Sequence, residues 1–517
     1  MRIKHSLINI STGLVNQIII TSLSFISRTV FIYTLGVEYL GINGLLTNIL
    51  AMLSLAEAGI GASIMYSLYK PVADNNQEKI SVLMHLYKRA YVVIALVVLL
   101  LGLALLPFLN YFIKDSKVEH VHVIYLIFLF NTVAPYFYLH KNSFLNVCQK
   151  GYIVTITYSV SAILSTGMKI GILHFTKNYI LYLAIDSIIT VATSIILARL
   201  VNKRYPFLKK KVTGTLDEDT KTNIIKNIKA IVLQNVGNYL IVGTDNIIIS
   251  SFVSVAAVGL YSNYYMLIEI CRNFTYQIFN NMYHSIGNLV AKESIEKVYN
   301  IYNVYLLLNF WLYSFFSILL CIILDPFITL WIGSKFLLSK GIVIVLMLSF
   351  YERGMRNAIT TIKTTAGVFY ADRYGPLIQA VINLAVSIIL VKEIGLIGVF
   401  MGTLISALVV PFWLTPYLVY KHVFRMSVTL HFIKYTFYGI IGSIAFILTG
   451  WSSTFIEVGG WGGLTLRIIV CICIPNTLYF IIFRNTKEFQ YLQGIIIGIL
   501  GTTLKKIKNR GIVKPGM

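Results

Sequence analysis

The sequence predicts an all-α integral membrane protein of about fourteen transmembrane helices, built as two parallel six-helix repeats followed by two more helices. Three observations lead there. Of the 517 residues, 57% are hydrophobic and only 12% are charged, against about a quarter charged in soluble domains. The apolar residues come in blocks, such as 92–108 and 468–483, and a helix needs roughly 20 largely apolar residues to cross the hydrocarbon layer. The chain also repeats itself at a fixed offset, described below.

The expected spans are 11–33, 40–66, 90–112, 121–141, 152–175, 179–199, 229–251, 256–285, 300–324, 342–362, 374–391, 396–420, 432–451 and 462–483. The N-terminal apolar segment carries Asn16, Gln17 and Arg28, so it reads as a retained first span rather than a cleaved signal. The five cysteines lie in or beside apolar segments with no spacing that suggests a disulfide framework or a metal site.

Charge sets the orientation. With the N-terminus placed in the cytoplasm, the inner segments hold 31 of the 43 Lys and Arg, and the outer loops hold six. Lysine and arginine accumulate on the cytoplasmic side of membrane proteins, so this asymmetry predicts an even number of spans with both termini inside. It accounts for the net charge of +23 as topology and contact with anionic lipid rather than nucleic-acid binding. The longest polar stretch, 202–223, reads as a linker between halves. The expected organisation is a six-helix lobe with linker over 1–222, a second lobe over 223–422, two further helices over 423–484 and a basic tail over 485–517. In that tail Phe489, Leu492, Ile496 and Ile499 share one helical face ahead of Lys505, Lys506, Lys508 and Arg510. Such a segment is expected to lie in the membrane interface.

Sliding the chain on itself by 218 residues places Gly41 on Gly259, Ser67 on Ser285, Ala73 on Ala291, Glu78-Lys79 on Glu296-Lys297 and Tyr87 on Tyr305. Six spans return the chain to its starting side, so the halves run in the same direction. Parallel repeats about an axis along the membrane normal imply substrate binding between lobes and alternating access.

Charge within a span costs about 2.5–3.5 kcal/mol on insertion scales, so such residues are expected to face a cavity or a partner. Span 1 carries Gln17, Thr21, Ser24 and Arg28 on one helical stripe. Span 2 carries Asn43, Thr47, Ser54 and Glu57, and span 7 carries Gln234, Asn238 and Asp245. Lys169 and Asp186 sit in spans 5 and 6. Spans 8 and 10 hold Tyr265, Glu269, Arg272, Tyr276 and Asn280, then Glu352, Arg353, Arg356 and Thr360. Glu269 with Arg272, and Glu352 with Arg356, have the spacing of helical ion pairs; spacing alone does not say whether they neutralise each other or face a substrate. Arginines in a cavity suit phosphate or pyrophosphate, because the guanidinium fork matches that anion.

Two stretches carry a family resemblance: Arg28-Thr-Val-Phe-Ile-Tyr-Thr-Leu-Gly-Val-Glu-Tyr-Leu-Gly-Ile-Asn-Gly-Leu45 and Leu55-Ala-Glu-Ala-Gly-Ile-Gly61, followed by Tyr69-Lys-Pro71 and the loop at 74–79. They resemble the polysaccharide-repeat-unit flippases, the polysaccharide-synthesis branch of the multidrug/oligosaccharidyl-lipid/polysaccharide exporter superfamily. The resemblance implies a V-shaped pair of six-helix lobes with two extra helices. It implies movement of undecaprenyl-pyrophosphate-linked oligosaccharide from the inner to the outer leaflet of a bacterial cytoplasmic membrane, for capsular or other surface polysaccharide. It places Arg28, Arg272, Arg353 and Arg356 at the substrate, and the polar stripes of spans 1 and 7 add Gln17 and Asn238 to the expected substrate-binding set. Glu57, Asp186, Asp245, Glu269 and Glu352 are then cavity or ion-coupling acids, and the chain departs from an arginine-dominated cavity by carrying them. Implied partners are the lipid-linked substrate, membrane lipids and the pathway's polymerase and glycosyltransferases. Competing readings are a multidrug or cation antiporter of the same superfamily, a membrane-embedded polymerase or acyltransferase, and a scaffold for glycan enzymes. The sequence shows no long external loop, no Gly-rich phosphate loop, no metal cluster and no ATPase motif, so neither enzymatic activity nor a cofactor is expected.

Overall fold

The computed structural model describes residues 2–57, 60–113, 118–209, 221–222, 224, 243–368, 371–494 and 497. Among them there is no strand. Among the described residues ten helices are long and apolar enough to cross a membrane. Val255–Lys292 and Lys340–Thr365 add two long helices that carry in-span charges. By contact the chain forms two compact units. One comprises the residues up to Asn263 with Ala380–Gly402, and the other comprises Tyr264–Gln379 with the residues from Thr403 onward.

The repeat is written into the local structure at the 218-residue offset. Helices begin at Val37 and Val255 and again at Gln77 and Ile295. The second pair starts the same way in both halves. Asn76 and Ser294 are the N-caps, and their side chains accept hydrogen bonds from Lys79 N and Lys297 N at 2.9 and 3.4 Å, which satisfies a donor that a helix start leaves unpaired. Deeper in the bundle, Tyr87 OH donates to Ser143 Oγ at 3.1 Å. Its equivalent, Tyr305 OH, meets Thr361 Oγ1 at 3.4 Å. Both residues of the second pair stand 218 positions after those of the first, so the duplication conserves a helix–helix contact as well as hydropathy.

Span 2 differs from its expected form. The Val37–Leu53 helix ends in a short 3-10 turn, Ser54–Glu57, and a new helix runs Ile60–Ala73. Its equivalent in the second half, Val255–Lys292, is one helix of 38 residues. Gly61 lies in the first turn of the new helix. At Gly61 an added Cβ would lie 3.0 Å from Tyr87 OH and collide with the Tyr91 hydroxyl.

In the second unit Ile295–Trp331 packs on Lys340–Thr365 and on Gly460–Phe483. Asn309 Nδ2 donates to the Gly354 carbonyl at 2.6 Å and to that of Met355 at 3.1 Å. Small residues let membrane helices approach this closely. A Cβ at Gly354 would run into the Tyr313 ring. Gly354→Ala is therefore expected to cost about 1–3 kcal/mol by overpacking, read as a lower melting midpoint of the detergent-solubilised protein. Of the expected tail, Phe489 stacks on Trp311 with ring centroids 5.8 Å apart. Residues 498–517, with Ile499 and the tail's basic residues from Lys505 on, lie outside the described residues, as does Ile496.

Candidate functional site

In the first unit, Arg28 lies seven residues before the end of the first helix. Its Nη1 donates to Ser262 Oγ at 2.9 Å and to Asn263 Oδ1 at 3.2 Å. Both acceptors are neutral. Gln17, about three turns upstream, donates through Nε2 to Thr21 Oγ1 at 3.4 Å, so part of the predicted stripe is satisfied within its own helix. Asn238 and Gln234 lie outside the described residues, and Asp245 is half-buried on the helix at 243–252.

A cavity of about 440 Å³ opens in the same unit, lined by Asn43, Thr47, Ser54, Asn131, Lys169 and Asp186 among others. Lys169 Nζ and Asp186 Oδ1 form an ion pair at 2.9 Å, and Ser165 Oγ donates to the same oxygen at 2.6 Å. The Lys169 ammonium also stands over the Tyr182 ring at 5.0 Å. Sequence reasoning missed Ser165 and Tyr182. The signal was present: Ser165 and Lys169 are four apart on one helix, Tyr182 and Asp186 four apart on the next, and residues at that spacing share a face. Asn43, Thr47 and Ser54 face this cavity together, as their spacing predicted. Glu57 does not join them. The 3-10 turn redirects it, and it accepts a hydrogen bond from the Tyr91 hydroxyl.

In the second unit, five charged side chains gather on two helices. Glu269 pairs with Arg272, and Glu352 pairs with Arg356, with an Nη2–Oε2 distance of 3.1 Å. Both spacing-based candidates are thus ion pairs. The Glu352 side chain is 5% exposed, which places that pair in the protein interior. Arg353 is exposed and lies within electrostatic reach of Arg272, Arg356 and Glu269. The Arg272 guanidinium sits 5.8 Å from the Tyr265 ring centroid. Among the described residues, Lys169, Arg272 and Arg356 are held in ion pairs, and Arg28 and Arg353 are not.

The helical fold is similar to those of several solved membrane transporters. The chain resembles the lipid II flippase MurJ in an inward closed conformation, with TM-score 0.68 and 13% identity over 93% of this chain and 99% of that one. It also resembles an inward-facing multidrug resistance MATE family transporter, with TM-score 0.58 and 13% identity over 77% and 94%. A third likeness is a mutant of the Vibrio cholerae MATE transporter VcmN, with TM-score 0.58 and 14% identity over 83% and 99%. No curated protein matches the chain. The chain belongs to the polysaccharide biosynthesis protein family, whose model matches residues 6–281.

Proposed function

We propose that this protein moves an undecaprenyl-pyrophosphate-linked oligosaccharide from the inner to the outer leaflet of a bacterial cytoplasmic membrane by alternating access, for capsular or other surface polysaccharide. The observation that carries the reading is the state of Arg28. Its hydrogen bonds go to a serine hydroxyl and an asparagine carbonyl, so no carboxylate among those partners cancels its charge, and a guanidinium suits a pyrophosphate. In the second unit Arg353 stands outside the two ion pairs, within reach of two further arginines and of Glu269. Membership of the polysaccharide biosynthesis protein family supports this reading. The sugar and pyrophosphate would pass through the protein while the polyprenyl tail remains in the bilayer. The cation-antiporter alternative would use Asp186 or Asp245, and of these Asp186 is paired with Lys169.

Cells lacking the protein should accumulate lipid-linked repeat units on the inner leaflet while total synthesis continues. Unchanged surface polysaccharide in those cells would remove the reading. The orientation has its own check: with both termini cytoplasmic, a cysteine at Thr215 should resist an impermeant thiol reagent in intact cells. Labelling from outside would reverse the topology.

A further inference from the structure

Gly41 and Gly259 are 218 residues apart, and each meets the other's helix. A Cβ at position 41 would collide with the Val255 carbonyl oxygen and lie 2.9 Å from Val255 Cγ1. One at position 259 would collide with the Val37 carbonyl oxygen and lie 2.7 Å from Val37 Cγ2 and 3.1 Å from Gly41 N. Val37 and Val255 are themselves 218 apart, and each opens its helix. The contact is reciprocal, as at a two-fold interface where residue i meets j and j meets i. Two helix starts therefore press backbone on backbone across an internal pseudo-two-fold axis.

One layer deeper the symmetry fails. Arg28 and Asn246 are equivalent positions, as are Gly44 and Ser262. A Cβ at Gly44 would lie 3.7 Å from Asn246 Nδ2, and no side chain is there to receive a hydrogen bond. On the other side Arg28 donates both of its hydrogen bonds across the seam, to Ser262 and Asn263. Asn263 is fully buried. Both bonds leave from Nη1, so the Nε and Nη2 edge of the fork is not committed to either acceptor.

We propose that the Val37–Gly41 and Val255–Gly259 segments form a closing contact between the two repeats, and that Ser262 and Asn263 are positioning residues that tie Arg28 to its closed state. The proposal rests on the transport reading above. In it, Arg28 has two alternatives: the seam, or a phosphate oxygen of the substrate. An anion that draws the guanidinium away strips the seam of both hydrogen bonds, so substrate capture and seam opening share one residue.

Hydrogen–deuterium exchange of the full chain in lipid nanodiscs tests this without any transport measurement. The first N–H groups of a helix have no intrahelical acceptor; Ser254 Oγ takes that of Ala257, and the close approach of the two segments covers the backbone beside it. Gly41→Ala should raise exchange in the 254–264 peptide, and Gly259→Ala should raise it in the 36–46 peptide, each several-fold. Ser262→Ala, which adds no bulk, should raise both, and Ser262→Thr should restore them. Inorganic pyrophosphate should raise exchange in the unaltered protein and leave Ser262→Ala little changed. Should each glycine change affect only its own segment, or Ser262→Ala leave both peptides protected, the closing contact is wrong, whatever the protein carries.

Discussion

Replacing Arg28 by alanine is expected to lower export of lipid-linked glycan about ten- to a hundredfold at matched protein levels. The figure follows from the loss of a charge-assisted hydrogen bond to the anion, about 1.5–3 kcal/mol, where 1.4 kcal/mol is a factor of ten. Arg28→Lys should recover part of the loss, because it keeps the charge and gives up the planar fork. Asn263 loses its partner in Arg28→Ala, so protein level and melting behaviour must be measured beside export. Ser262→Ala removes one neutral acceptor and leaves the cation in place. It should lower export far less than Arg28→Ala. Equal losses in the two variants would mean that Arg28 serves packing rather than the anion.

Glu352→Ala is expected to be the most destabilising change at the charged cluster of the second unit. The Glu352 and Arg356 side chains are 5% and 17% exposed, and breaking a buried pair from one side leaves an uncompensated charge at a cost of about 3–5 kcal/mol. Arg353 stands close by with the same sign as Arg356, which adds repulsion that Glu352 now offsets. The measurement is the yield and thermal midpoint of the solubilised protein. The double change Glu352→Ala with Arg356→Ala should recover most of the loss, since replacing both partners removes the unpaired charge. A double variant no more stable than Glu352→Ala alone would show that the pair does not act as a unit.

These two residues mark how far the sequence could be read. The membrane class and the duplication were legible because both are periodic: apolar runs have the length of a bilayer, and Lys79 and Lys297 stand on equivalent caps. The ion pairing of Glu352 with Arg356 was one of two outcomes allowed by a spacing of four, and only side-chain geometry separated them. Glu57 was read as part of a stripe with Asn43, Thr47 and Ser54 because an unbroken helix would put it there. The 3-10 turn at Ser54–Glu57 sends it to Tyr91 instead, and the run of apolar residues before it hides that break. The neutral partners of Arg28 lie 234 and 235 residues away, beyond any local pattern. They become legible only once the repeat is used as a map, since Ser262 is the equivalent of Gly44.

The central claim is that the cargo is an anionic lipid-linked glycan carried past Arg28. Its most direct test is reconstitution of the full-length protein in liposomes with a polyprenyl-pyrophosphate oligosaccharide confined to the inner leaflet, followed by the appearance of the sugar to an impermeant glycosidase outside. The account predicts exposure of the pyrophosphate-linked sugar by the unaltered protein, at least tenfold slower exposure with Arg28→Ala, and little exposure of an uncharged glycolipid bearing the same sugar. Equal movement of the charged and uncharged lipids, or full activity of Arg28→Ala, would contradict it.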